Sequence, residues 1–178
     1  MTATKRMVTI LLGVVLMSSV AAYSQATDVV LSGKWDFASA QVVEKNQKTG
    51  KIYTGKTFFS ANEIADQPYA FHVPVSMEFF GKSDSLMLAT VRQVHGFIEN
   101  ARAILSGGTL LLFSSFDGSV LSPEKMLAAD LESLLPKALY ENVRMSDNTL
   151  SLEYIYTYEG SDEDTIEGVM TITFTGTK

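Results

Sequence analysis

Between Tyr69 and Phe80 the side chains alternate without a break. Tyr69, Phe71, Val73, Val75, Met77 and Phe79 fall on one face, and Ala70, His72, Pro74, Ser76, Glu78 and Phe80 on the other. A period of two is the repeat of an extended strand that lays one face on a core. Such a strand cannot stand alone, because its backbone amides and carbonyls need neighbours. The same period runs through most of the chain, so the constraint is a sheet. There is no cysteine, so neither a disulfide nor a lipid-modified cysteine is available and packing alone must hold the fold.

The remaining strands are read from the same signal. Trp35 and Phe37 point one way from the first, with Lys34 and Asp36 opposite. The polar turn 45–50, closing on Gly50, leads to a strand over 52–59. Pro74 lacks an amide donor and marks an edge or a bulge. Gly81-Lys82-Ser83-Asp84 turns the chain into a strand over 86–94. The stretch 97–105 fits two templates: Val94, Phe97, Ile98, Ala101 and Leu105 make a helical stripe, but they also feed Ser106-Gly107-Gly108 and the apolar run 110–113. The hairpin is the preferred reading. One helix is expected after Ser122, with Pro123 at its first position, Glu124 against its dipole and Leu127, Leu131, Leu134 and Leu135 as its apolar face, ending at Pro136. Three strands close the chain: 139–145, 150–158 and 169–175. Leu150, Leu152, Tyr154, Tyr156 and Tyr158 share one face of the second, and Met170, Ile172 and Phe174 one face of the third.

The fold class is therefore mainly all-β: an antiparallel meander of about 8–10 strands with one short helix. A meander of that size hides its two edges most simply by closing into a barrel, with a β-sandwich as the alternative.

The amino terminus reads as an export signal. Lys5 and Arg6 precede an uncharged, mostly apolar run from Met7 to Ala22, and the small residues Ala21, Ala22 and Ser24 suit a signal peptidase. The run is short for a membrane span. Residues 1–24 are thus expected to be removed, leaving one domain over 25–178 in the periplasm or outside the cell, with no membrane span. Without Lys5 and Arg6 the 14 basic residues become 12 against 20 acidic, a net charge of −8. That balance, with the basic residues scattered singly, argues against nucleic acid and against anionic membranes.

The segment Leu31-Ser32-Gly33-Lys34-Trp35-Asp36-Phe37 resembles the Gly-x-Trp signature that opens the first strand of the lipocalins and the wider calycin group, here Gly33 and Trp35. The resemblance implies a calycin-like or lipocalin-like barrel of the kind bacteria export, with Trp35 plugging the closed end beneath a ligand cavity. Here three strands follow the helix, where that family places its main helix later in the chain.

No motif of catalytic or metal-binding specificity is present. His72 and His95 have no partner spacing for zinc or iron and read as solvated or hydrogen-bonded side chains. No Gly-x-Ser-x-Gly elbow accompanies the many serines. The acidic stretch Glu159, Asp162, Glu163, Asp164 and Glu167 does not follow an EF-hand order and reads as a solvated hairpin tip. The expectation is a non-enzymatic binding protein without cofactor, holding a small hydrophobic or amphipathic ligand against Trp35, Met77, Phe79, Tyr154, Tyr156 and Tyr158. The alternatives are a secreted protein-interaction or inhibitor domain that uses an exposed strand edge or loop, and an enzyme whose site carries no motif.

Overall fold

The computed structural model describes residues 31–81, 87–160 and 164–177. The export segment 1–24, most of the turn expected at Gly81–Asp84, and Asp162 and Glu163 lie outside these described residues.

Nine strands form one antiparallel sheet: β1 (Gly33–Asn46), β2 (Ile52–Phe58), β3 (Pro74–Gly81), β4 (Met87–Gln93), β5 (Gly96–Ser106), β6 (Thr109–Ser115), β7 (Leu134–Ser146), β8 (Thr149–Glu159) and β9 (Thr165–Thr177). Each of β3 to β9 pairs with the next, and β9 returns to pair with β1 from Lys34↔Thr177 to Asn46↔Ile166. That last pairing closes an eight-stranded barrel and excludes a sandwich. The other edge of β1 is shared: Gly33–Asp36 pair with β3, and Ala40–Lys45 pair with β2. Strand β2 is the ninth, bonded only to β1 and leaning off the barrel wall.

Turn chemistry follows the sequence closely. Ser106 pairs with Thr109, and Gly107 and Gly108 between them both take positive φ (58° and 78°), as a tight two-residue hairpin demands. Residues 97–105 are accordingly strand. After β1, Asn46 holds the turn: its Oδ1 accepts from the Thr49 amide at 2.8 Å, and its carbonyl accepts from Gly50 at 2.8 Å.

One feature of the first strand lies beyond the sequence reading, and two expectations are corrected. The first strand does not keep one parity. In the β1–β9 register Phe37 opposes Phe174 and Ser39 opposes Thr173, so Ala38 is an extra residue. Beyond this bulge the even positions turn inward, and Ala40, Val42 and Asn46 are buried while Gln41, Val43 and Lys45 are exposed. The alternation over Tyr69–Phe80 does not make one strand. Residues 61–63 and 70–72 are 3-10 turns, with Val73 N–H donating to the Ala70 carbonyl, and β3 begins only at Pro74. Phe71, placed with Tyr69 by alternation, is exposed. The proline has no amide for a ladder, and a register shift separates it from Ser76. The helix α1 spans only Pro123–Ala128. Ser122 makes no side-chain cap bond, and the buried helical residue is Met126. Leu134, Leu135 and Pro136 belong to β7. The helix covers Leu88, Phe113 and Leu134 on the outside of the wall, a small second core. Among the described residues no helix is long and apolar enough to cross a membrane.

The main core fills the lumen. Met77, Leu110, Leu112, Leu152, Ile172 and Phe174 point inward and carry no accessible surface. A side chain lining a void that admits water would expose area to it, so the middle of the barrel is solid. Trp35 packs at one end, its Nε1 donating to the Leu31 carbonyl at 2.9 Å. Gly176 lies under its ring, where a Cβ would come within 2.9 Å of Trp35.

Inward and outward residues of β8 should separate in stability. Leu152 has 0% exposure and Ile155 has 42%. In urea denaturation Leu152→Ala is expected to cost about 2–5 kcal/mol, and Ile155→Ala about 1 kcal/mol or less.

Candidate functional site

The end of the barrel opposite Trp35 is lined by tyrosine. Tyr154, Tyr156 and Tyr158 alternate inward on β8, with ring centroids 5.8 and 6.2 Å apart. Deeper in the barrel, Tyr140 of β7 lies 6.3 Å from Tyr154. Tyr69 comes from the segment between β2 and β3, which crosses this end, and stacks on Tyr156 at 4.5 Å with its plane tilted 31°.

The crossing segment is pinned by backbone atoms. Gln93 Nε2 and the Tyr140 hydroxyl both donate to the His72 carbonyl, at 3.4 and 3.3 Å. The Val94 amide donates to Val73 at 3.0 Å. His95 Nε2 sits 2.7 Å from the Ala65 carbonyl, which can only accept, so that nitrogen carries the proton. His95 therefore has a structural bond. The exposed ring of His72 makes edge contact with Tyr154 at 6.4 Å.

Glu44 organises the mouth. The Ala38 bulge turns it inward with Val42 and Asn46. In register, Glu44 on β1 opposes Gly168 on β9, which opposes Tyr156 on β8. The Tyr156 ring lies flat across Gly168, where a Cβ would approach its Cζ to 2.2 Å. Only glycine leaves room for the tyrosine to reach over the intervening strand. The Tyr156 hydroxyl then donates to Glu44 Oε1 at 2.9 Å, and the Tyr158 hydroxyl to the same oxygen at 3.2 Å.

Outside this pair opens a concavity of about 350 Å³, lined by Glu44, Asn46, Tyr53, Tyr158, Asp164 and Ile166, with Gly160 at its edge. Tyr53 enters from β2 and is 44% exposed. Asp164 is tied down, accepting from Asn46 Nδ2 at 2.9 Å and facing Lys48 Nζ at 2.9 Å. Those contacts, the asparagine first, hold its carboxyl below the usual range. A second, shallower cleft of about 410 Å³ lies where β1 exchanges β2 for β3, between Phe37, Phe59 and Arg92.

The tyrosines are strongly perturbed. Burial, then the charge of Glu44, pushes Tyr69 up to about 12. Burial, then the hydrogen bond and charge of Glu44, raises Tyr156. Burial followed by Glu44 raises Tyr158, and burial raises Tyr140 and Tyr154. Perturbed titratable groups gathered at one concave end are the usual mark of a functional site.

Of the six residues expected to meet a ligand, the structure divides three from three. Trp35, Met77 and Phe79 are packed in the closed interior and offer a ligand almost no surface. Tyr154, Tyr156 and Tyr158 stand together at the mouth, where Tyr158 lines the concavity and Tyr156 is as buried as Trp35. Glu44, Asn46, Tyr53 and Tyr69 were not foreseen. Glu44 and Asn46 depend on a bulge that no residue pattern marks, and Tyr53 and Tyr69 on where β2 and the crossing segment lie.

Two consequences are measurable. Gly168→Ala should cost about 1–3 kcal/mol through overpacking against Tyr156. In a Tyr156→Ala background the same change should cost less than about 0.5 kcal/mol, a coupling that a double-mutant cycle in urea reads directly. The raised tyrosine values also fix the alkaline limb. Above the ordinary value of 10.0 the unfolded chain loses protons that the native chain keeps, so stability, level below that value, falls as pH rises toward about 12. Tyr69→Phe should make the decline shallower in denaturation series between pH 9 and 12.

The closed antiparallel barrel is compatible with a calycin-like fold. Compared with protein-family models, with curated proteins and with solved structures, the chain gives no significant match.

Proposed function

We propose that this chain is an exported, non-enzymatic binding protein, calycin-like in fold, that takes a small, partly apolar ligand at the tyrosine-lined mouth of its barrel. One observation carries the reading: Glu44 and Tyr158 line a concavity at the mouth, with Tyr154, Tyr156 and Tyr69 packed beside them, while the lumen beneath is solid. The groups are held before any ligand arrives, since Glu44 is oriented by two hydroxyls and Tyr69 by a stacked partner. Such preorganisation lowers the ordering cost of binding. Tyrosine faces supply apolar area at little entropic cost, and their hydroxyls and Glu44 orient the guest. Export to the periplasm or beyond rests on Lys5, Arg6 and the apolar run that follows.

A second reading, a protein-interaction domain, is favoured by one feature. Among the described residues strand β2 has a hydrogen-bonded neighbour on one side only and exposes Ile52 and Tyr53, so its outer edge is a template for a partner's strand.

Native mass spectrometry of protein purified from an exporting host separates the two. The expected result is an amino terminus at Gln25 and a small-molecule adduct that Tyr69→Ala and Tyr158→Ala each deplete. A bare protein mass, together with a protein partner whose capture is abolished by Ile52→Lys, would overturn the first reading in favour of the second.

A further inference from the structure

From the hydrogen-bond inventory of the mouth we infer the chemical class of the guest: an organic cation, a protonated amine carried on a small apolar or aromatic body. The inference rests on the mouth being a ligand seat and adds what that seat accepts.

The Tyr156 and Tyr158 hydroxyl protons are both committed to one oxygen, Glu44 Oε1. Among the described residues no hydrogen bond or ion pair engages Oε2. Asn46 Nδ2 spends one of its two N–H groups on Asp164, and Lys48 is paired with the same carboxylate. What the buried side of the concavity presents to a guest is therefore acceptors and π faces: a carboxylate oxygen, tyrosine oxygens with their protons spent, and the rings of Tyr158 and Tyr53. Among the described lining side chains the Tyr53 hydroxyl and the second N–H of Asn46 are the remaining donors, against a larger set of acceptors. A guest that fits must donate hydrogen bonds, and the charge of Glu44, felt by Tyr69, Tyr156 and Tyr158, selects for positive charge.

The aromatic wall fits the same guest. Ammonium groups are attracted to the faces of tyrosine rings, and Tyr53 already holds one: Lys51 Nζ lies 4.9 Å from its centroid. A carboxylate guest would face the charges of Glu44 and Asp164, with Lys48 already paired to Asp164 and Lys51 drawn onto the Tyr53 ring. A neutral guest with a hydroxyl could donate to Oε2 but would leave the charge of Glu44 covered and uncompensated. The volume of about 350 Å³ suits a molecule of one ring or a short chain.

The test is an amide-resolved NMR titration of the folded protein with three probes of one shape: benzylamine, benzyl alcohol and benzoate. Benzylamine is expected to shift Glu44, Tyr53 and Tyr158 and to saturate, with benzyl alcohol at least about tenfold weaker and benzoate silent. Glu44→Gln keeps the acceptor for the two tyrosines and should weaken benzylamine about ten- to hundredfold while leaving benzyl alcohol unchanged. Should that variant not fold, Tyr53→Leu at the exposed rim reads the aromatic wall alone, and a severalfold loss for benzylamine only is expected. Benzyl alcohol or benzoate binding the mouth as tightly as benzylamine, or the Glu44 and Tyr53 variants binding benzylamine unchanged, would overturn the cation while sparing the ligand seat. If none of the three probes shifts mouth resonances at millimolar concentration, the seat itself fails.

Discussion

The pairing of β1 with β9 runs the length of both strands, and a single unpaired residue within it, Ala38, decides what the barrel presents inside. On the Trp35 side of that residue the odd positions face inward; on the far side the even ones do. Without the closing ladder the nine strands would be a curled sheet with two open edges. Without the bulge, Val43 and Lys45 would point into the core, and Glu44 would be a solvated carboxylate on the outer wall. Each strand contributes one face to a common interior, so a shift by one residue exchanges that whole face.

The mouth follows from this geometry. A carboxylate facing a low-dielectric interior needs donors, and the nearest come from β8, two strands away. The distance is bridged because β9 has a glycine where the ring must pass. Glu44, Gly168 and Tyr156 thus form one unit drawn from three strands. Burial, and after it the contacts with one oxygen of Glu44, raise the tyrosines, which keep their protons throughout the physiological range. A rim of spent donors and open acceptors is chemically one-sided, the property that the proposed binding role needs.

The two segments that depart from the meander serve opposite faces. The crossing segment closes the mouth with Tyr69 and is held by the His72, Val73 and Ala65 carbonyls rather than by a ladder. Helix α1 stays outside, where Arg102 Nη1 donates to the Ala129 carbonyl at 2.6 Å and ties the stretch after it to β5. Their sequences are apolar enough to look like core elements, yet the crossing segment is a run of local backbone turns and the helix only six residues long.

Local signals made much of this fold legible from residue order alone. Alternation marks β8 and β9, and Gly107-Gly108 names the hairpin that settles β5 and β6. The shared face of Leu150, Leu152, Tyr154, Tyr156 and Tyr158 is inward as the period implies, which brought three of the mouth tyrosines into view. What only the tertiary structure decided is where the period breaks and what meets across strands. Ala38 carries no mark of being extra, and Tyr69 alternates like a strand residue until Pro74 denies that strand its ladder. Glu44 acquires its partners from residues 112 and 114 positions away. Period and turn chemistry are set by neighbours along the chain, whereas inward charge and the filling of the lumen are set by register between strands, which exists only once the barrel has closed.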